Sequence, residues 1–464
     1  MFAGDHALFT MIRDRFRDTP LLVADAGGFT GADLDAMVAA RAVRFGALGA
    51  RPGRWIGARV SPTLETVVDL LALWQCGAGV VVLDPRYPPG WETELVQNTG
   101  VMSVVSLGAE AEGVDWLEVA GEMAGPAVAM YTSGTESQPR AVVHDLDTLT
   151  FAARAGCARL GLEEGSMIPL TLPPHHVSGL MALVRALVAG ATVRLPGPGQ
   201  GWRDLLRSGV FTHISLVAAQ LKQVLEDAGM TASLRRARCV LLGGGPVSDA
   251  LLDRAWREGI PVVNSYGMTE TAAMVAMTPP GENPAAKGAV PLYAGCLSVD
   301  ETDRIRFRGP ALFRGWLEKG RVRSPELDPG GWYRTGDSGR LDEQGRLHVL
   351  GRADTVIISG GEKIRPERLA VALMDMPGVL AACVVGVPDA TYGEVPVAML
   401  AMADGFTLPS LETVGKHIGG RLPAWARPRY VWPWPVEVSP PSLKPPVRVL
   451  REWARARMAS GDPD

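Results

Sequence analysis

The run Tyr131-Thr132-Ser133-Gly134-Thr135-Glu136-Ser137-Gln138-Pro139-Arg140 sets hydroxyls, a glycine and a cation directly behind a strongly apolar segment. Hydroxyls and backbone N–H groups converging in such a loop suit a chain of phosphates, with Arg140 supplying positive charge. A hydrophilic strand-to-helix loop would read the same way. Gly243-Gly244-Gly245-Pro246 follows a second apolar run. Glycines there let backbone approach a flat ligand closely, or simply make a tight turn. Ser265-Tyr266-Gly267-Met268-Thr269-Glu270-Thr271 closes a third run. A tyrosine offers a stacking face, Thr269 a hydroxyl and Glu270 an oxygen for Mg²⁺, unless that glutamate only caps a following helix. Last, Trp332-Tyr333-Arg334-Thr335-Gly336-Asp337 precedes Gly351-Arg352-Ala353-Asp354. Asp337 and Arg352 suit a ribose diol, and would also serve as turn residues.

These clusters need a frame that gathers them. Short β-branched runs at 55–60, 79–83, 127–131, 239–242 and 261–265 read as buried strands, and segments 62–75, 145–160, 179–189 and 248–258 fit helical spacing. The alternation implies an α/β fold of βαβ units with mainly parallel sheets flanked by helices, and ligands of such sheets bind beyond the carboxyl ends of the strands. The texture changes near Asp354. Upstream, GRLDEQGRLHVL reads as a hairpin around Asp342-Glu343-Gln344-Gly345. Downstream come a glycine pair, a helix from about Pro366, a strand at AACVVGVP and a last helix from about Val447. We read a large N-terminal domain over 1–353 and a small α+β domain over 354–464.

Composition narrows the classes. The chain has 464 residues, 47% hydrophobic and 21% charged, with a formal net charge of −4, so no basic surface argues for nucleic acid. The N-terminal stretch carries scattered charges and no apolar run reaches membrane-spanning length. Cys76, Cys157, Cys239, Cys296 and Cys383 are widely spaced and odd in number, which argues against disulfides or a metal knot and for a reducing cytoplasm. A homodimer is compatible with the sequence.

Taken together, YTSGT at 131–135, YGMTE at 266–270, YRTGD at 333–337 and GRADTVIISGGEKIRPERL at 351–369 resemble the adenylate-forming superfamily of acyl- and aryl-CoA synthetases, luciferases and peptide-synthetase adenylation domains. The likeness runs from about residue 30 to 452. It implies ATP, Mg²⁺ and, as co-substrate, CoA. By this resemblance Thr132, Ser133, Gly134, Thr135 and Arg140 hold phosphates, and adenine lies between Gly243, Gly244, Gly245 and Tyr266. Thr269 meets the α-phosphate, Glu270 helps hold Mg²⁺, and Asp337 and Arg352 take the ribose. Asp354 is the hinge about which the small domain turns between half-reactions. Ser359, Gly360 and Gly361 border the pantetheine channel. Lys444 contacts both carboxylate and α-phosphate, and His176 borders the acyl site and gates the thiol. Five positions depart from the pattern. Glu136, Ser137, Arg140 and Ala141 stand where threonine, glycine, lysine and glycine are usual, with Glu136 bringing negative charge toward the phosphates, and Leu443 stands where a glycine is usual before Lys444.

The acid is narrowed by two further stretches. LTLPPHHVSGLMALVRALVAGATVRLP at 170–196 and FTHISLVAAQLKQVLED at 211–227 are most similar to the o-succinylbenzoate–CoA ligases of menaquinone biosynthesis. That likeness implies an acid pocket around His176, Ser178 and His213, with Arg185 or His213 serving the distal carboxylate. Two alternatives stay open: another acyl- or aryl-CoA ligase, and a catalytically weakened nucleotide-binding relative.

Overall fold

The chain is described here by a computed structural model covering residues 6–86, 89–109, 114–119, 127–132, 140–419, 421–438 and 447–460. Strands Arg54–Arg59, Gly79–Leu83 and Ala127–Thr132 pair in parallel at the centre of an eight-stranded sheet. The helix Leu64–Gln75 crosses between the first two. It is apolar almost all round, and ten of its residues, Leu64 and Thr66 to Trp74, are buried. A helix apolar on every side belongs inside a large core. The Thr63 side chain accepts from Thr66 N and starts it.

A second sheet aligns His213–Leu216, Cys239–Leu242 and Val262–Met268 in parallel. Their carboxyl ends therefore lie side by side. A third sheet joins Pro20–Ala24 to Thr192–Arg194 and Met167–Pro169.

The sequence predicts mainly parallel sheets, and here the structure differs. Parallel pairing reaches the edge strands Met167–Pro169, His213–Leu216 and Val104–Ser106, but antiparallel pairs are added beside it. Arg140–Asp145 runs antiparallel to Ala127–Thr132, and Ala273–Met277 antiparallel to Val262–Met268. The sheet of Leu297–Val299, Arg304–Phe307, Tyr333–Leu341 and Leu347–Arg352 is antiparallel throughout. For the first of these the cause is connection length: only seven residues separate Thr132 from Arg140, and a crossover needs about a dozen.

From Ile357 the chain builds another sheet. The long pair Val379–Asp389 and Gly393–Met402 is flanked by Ile357–Ser359 and Tyr430–Pro433. Alternate residues of its strands feed opposite cores, as a pleat requires. Ala382 and Val384 pack with Leu369, Leu373 and Ile418, whereas Cys383 and Val385 pack with Trp432 and Leu450. Both cores are built from residues beyond 356.

Candidate active site

Tyr266 sits near the end of its strand, 9% exposed, and its hydroxyl donates to Asp337 Oδ2 at 2.9 Å. Burial, then the neighbouring Asp337 charge, pushes its pKa well above the usual phenol value, so the hydroxyl remains a donor. Asp337 and Arg352 face each other in the register of their antiparallel strands, with Nη1 3.8 Å from Oδ1. Two residues of the fourth cluster thus meet by strand pairing, and a side-chain hydrogen bond joins them to Tyr266 of the third. Arg352 also donates Nε to Asp354 Oδ1 at 2.8 Å, and Nη2 to Oδ2. Burial works against its charge, but Asp354 and Asp337 outweigh it and hold the guanidinium above its ordinary pKa. The Asp354 carboxylate therefore fixes the arginine that faces Asp337.

Thr269 and Glu270 lie in a single tight turn, Thr269–Thr271, after which Ala272 and Ala273 adopt positive φ of 50° and 73°. Non-glycine residues enter that region only when surroundings hold them there. Thr271 Oγ1 bonds Met268 O and Ala273 O, and the Glu270 carbonyl accepts from Phe313 N at 2.9 Å. His144 lies beneath, with Nε2 2.7 Å from Thr269 O and Nδ1 3.1 Å from Thr148 Oγ1. The alternative that Glu270 only caps a following helix does not hold, because Glu270 lies within the single turn Thr269–Thr271 and a strand follows it.

Tyr333 was quoted within a motif but given no role by sequence. Burial, then the Glu270 charge, raises its pKa, while Arg140 and Arg352 oppose this, which places it among all three. It stacks edge-on against Phe313 at 5.2 Å. Arg140 lies over Trp316 at 5.1 Å, and that ring is 6.5 Å from Tyr333. Thr132 and Arg140 are strand partners, so the segment expected to hold phosphates joins two strands rather than a strand and a helix. Ser133, Gly134, Thr135, Glu136 and Ser137 lie outside the described residues, as do Leu443 and Lys444.

Gly243 to Gly245 follow the parallel strand next to that of Tyr266. Gly244 has φ +84°, and a Cβ on Gly243 would stand 3.0 Å from Ser265 Oγ, so both positions favour glycine. Ser359, Gly360 and Gly361 make the turn of a hairpin in the small sheet, where Gly360 N donates to Tyr392 O and both glycines have positive φ.

On the acid side, His176 is the N-cap residue of the helix Val177–Ala189 and its ring lies 4.7 Å from that of His175. Ser178, Ala182 and Arg185 share one face of this helix at i, i+4 and i+7. Arg185 is 5% exposed, and its stem passes close to Gly156, where a Cβ would meet Arg185 Cδ at 3.1 Å. No hydrogen bond or carboxylate from the described residues reaches its guanidinium, whose neighbours are Cys157 and Cys239. Burial lowers its pKa to about 10, still far above neutrality. It lines a small cavity of about 20 Å³, room for roughly one water, with Ala182, His213, Ser215 and Cys239. His213 was expected to offer a ring nitrogen there. Instead Nε2 lies 3.1 Å from Leu160 O and Nδ1 3.0 Å from Thr212 Oγ1. The charge of this cavity is that of Arg185 alone among its lining residues.

The arrangement thus offers a polar cluster at adjoining strand ends and a cationic cavity under one helix. Residues 110–317 match the family model of the AMP-binding enzymes, and 369–437 match that of the AMP-binding enzyme C-terminal domain. The 2-succinylbenzoate–CoA ligase of Geobacillus kaustophilus is 30% identical over 411 residues, covering 81% of this chain and 83% of that protein. The o-succinylbenzoate coenzyme A synthetase of Bacillus subtilis in complex with AMP superposes with a TM-score of 0.81 at 25% identity, over 97% of this chain and 98% of that one. The same enzyme with the acyl-adenylate intermediate OSB-AMP gives 0.78 at 25% identity, over 95% and 96%.

Proposed function

This chain belongs to the AMP-binding enzyme family, and we propose that it is the ligase that converts o-succinylbenzoate, ATP and CoA to o-succinylbenzoyl-CoA. One observation carries the choice of acid. Arg185 keeps its charge under a helix face with no anion of the described residues beside it. A buried cation without a counter-charge is costly, so the cavity is completed by an anionic ligand. An acid with one carboxylate to react and a second to bind meets that need, and the relatives named for 2-succinylbenzoate agree with it.

In the first half-reaction a carboxylate oxygen attacks the α-phosphorus of ATP and pyrophosphate leaves. In the second a thiol attacks the acyl carbon, loses its proton and expels AMP. Asp337 and Arg352 are suited to the ribose and Tyr266 to the adenine face. Thr269 is suited to the α-phosphate, and Glu270 offers a carboxylate to the Mg²⁺ that accompanies the nucleotide, which supplies charge for the leaving pyrophosphate. Lys444 is assigned the developing charge between carboxylate and phosphate, and His176 the thiol's approach. The domain division at 353/354 is part of the same proposal, as is a place in menaquinone biosynthesis. Cytoplasmic location is supported by five unpaired cysteines; no helix of the described residues is long and apolar enough to cross a membrane.

The test is AMP formation with o-succinylbenzoate against benzoate, cinnamate and medium-chain fatty acids. The dicarboxylic acid is expected to have the highest kcat/KM. A monocarboxylic acid that surpasses it overturns the assignment, and pyrophosphate release with none would leave only a nucleotide-binding relative.

A further inference from the structure

The loop after strand Gly79–Leu83 and the loop before helix Val177–Ala189 bring Asp84, His175 and His176 together. One ligand atom of each lies within 4.8 Å of the other two. Asp84 and His175 are each 8% exposed. His175 Nδ1 is 3.2 Å from the Val60 carbonyl oxygen. A carbonyl only accepts, so Nδ1 carries the proton. Nε2 lies 3.2 Å from Asp84 Oδ2, yet it is buried without a hydrogen-bond partner among the described residues, because the carboxylate stands off the ring axis.

Asp84 is held from its other side. Arg86 occupies Oδ1 through N and Nε, both at 2.9 Å, and Oδ2 through Nη2 at 2.7 Å. One lone-pair direction of Oδ2 still faces the histidine.

A cation between Nε2 and Oδ2 would engage the buried ring nitrogen and the carboxylate oxygen nearest to it. Metal-bound histidines are typically oriented by a bond from the other ring nitrogen to a carbonyl, which Val60 supplies here. With ligand bonds of about 2.0–2.2 Å, tetrahedral ligand atoms stand about 3.3 Å apart, close to the 3.2 Å observed. We infer that Asp84, His175 and His176 form a three-ligand site for a divalent transition metal ion of the Zn²⁺ class. Two imidazoles and one carboxylate favour such an ion over Mg²⁺, which separates this site from that of Glu270. Three protein ligands leave a fourth position for water or another anionic group. His176 ends its loop as the helix N-cap residue with its ring at 57° to that of His175; coordination asks of it a side-chain rotation.

The experiment uses the full-length chain without an affinity tag, stripped with a chelator and dialysed against Zn²⁺ or Co²⁺ in millimolar Mg²⁺. Elemental analysis is expected to find about one equivalent bound per chain, and Co²⁺ to show visible absorption of a four-coordinate site. His175→Gln and His176→Gln, checked for native circular dichroism, should each lower the stoichiometry about tenfold; Asp84→Asn, which also loosens Arg86, is the third arm. Wild-type protein that retains no Zn²⁺ or Co²⁺ overturns the inference. So does a correctly folded His175→Gln variant that binds as the wild type does, since the metal would then sit elsewhere, for example on a cysteine.

Discussion

At the scale of single residues, the decisive side chain is one that sequence named without placing. Arg185 stands in a run of helical apolar residues, where an arginine reads equally as a surface cation or a core intruder. Only the packing of helix Val177–Ala189 against Leu146–Leu160, with Gly156 opposite its stem, shows that the guanidinium faces inward. His213 was paired with it because nothing in a sequence reveals that two backbone and side-chain oxygens already engage its ring. Arg185→Met keeps the stem and deletes the charge. Removing one partner of a buried charge pair costs about 2–5 kcal/mol, so KM for o-succinylbenzoate should rise about thirtyfold or more, measured by coupled AMP formation. KM for ATP should hardly change, and thermal stability should hold or rise, because an uncompensated buried charge has gone. A variant with unchanged KM for the acid would mean that the second carboxylate binds elsewhere.

At the scale of elements, the strands and helices of the centre follow their apolar patterns within a residue or two. Helix 145–160 and strand 79–83 are examples. The antiparallel edges do not follow, since a buried strand reads alike in either direction and only loop length tells them apart. The Thr269–Thr271 turn shows what remained hidden, because it is held by His144, a residue 125 positions away in sequence. Full burial depresses the His144 pKa from 6.5 to about 4. The folded protein therefore keeps the ring neutral while the unfolded chain binds a proton below about pH 6.5. This stabilisation is present above that pH and is lost as pH falls toward 4, an order-of-magnitude effect of about 3 kcal/mol. Thermal unfolding followed between pH 7 and 4 should show the midpoint falling through that window. His144→Gln, which can still donate to the Thr269 carbonyl, should flatten the slope. An equally steep slope in the variant would assign the pH dependence to carboxylates instead.

At the scale of the whole molecule, one contact joins the two units through charge and backbone. Lys222, on helix Ala218–Leu225, donates to Met374 O at 2.5 Å and Val379 O at 2.9 Å, with Met376 O at 3.5 Å. These carbonyls end the helix Pro366–Met374 and the turn after it, where a helix has orphan acceptors and partial negative charge. Burial lowers the Lys222 pKa, with Asp375 and Glu226 opposing. Ser248 adds a bond to Asp375 at 2.6 Å while its oxygen also starts the helix Asp249–Arg257. A cap of this kind fits one orientation of the small unit. The proposed turn about Asp354 would carry the 374–379 carbonyls away from an ammonium on a fixed helix. Hydrogen bonds to a charged group contribute about 1.5–3 kcal/mol, so Lys222→Met should shift the balance between orientations about tenfold or more. Two measurements read this. Limited proteolysis near residue 354 should quicken, and single-turnover rates of pyrophosphate release and of thioester formation from supplied acyl-adenylate should move in opposite directions. The half-reaction that uses the orientation seen here should slow, and the other should be spared or accelerated. Equal slowing of both would make Lys222 a stability contact only, and no change in either would show that the small unit is held through Ser248 and Asp375 without it.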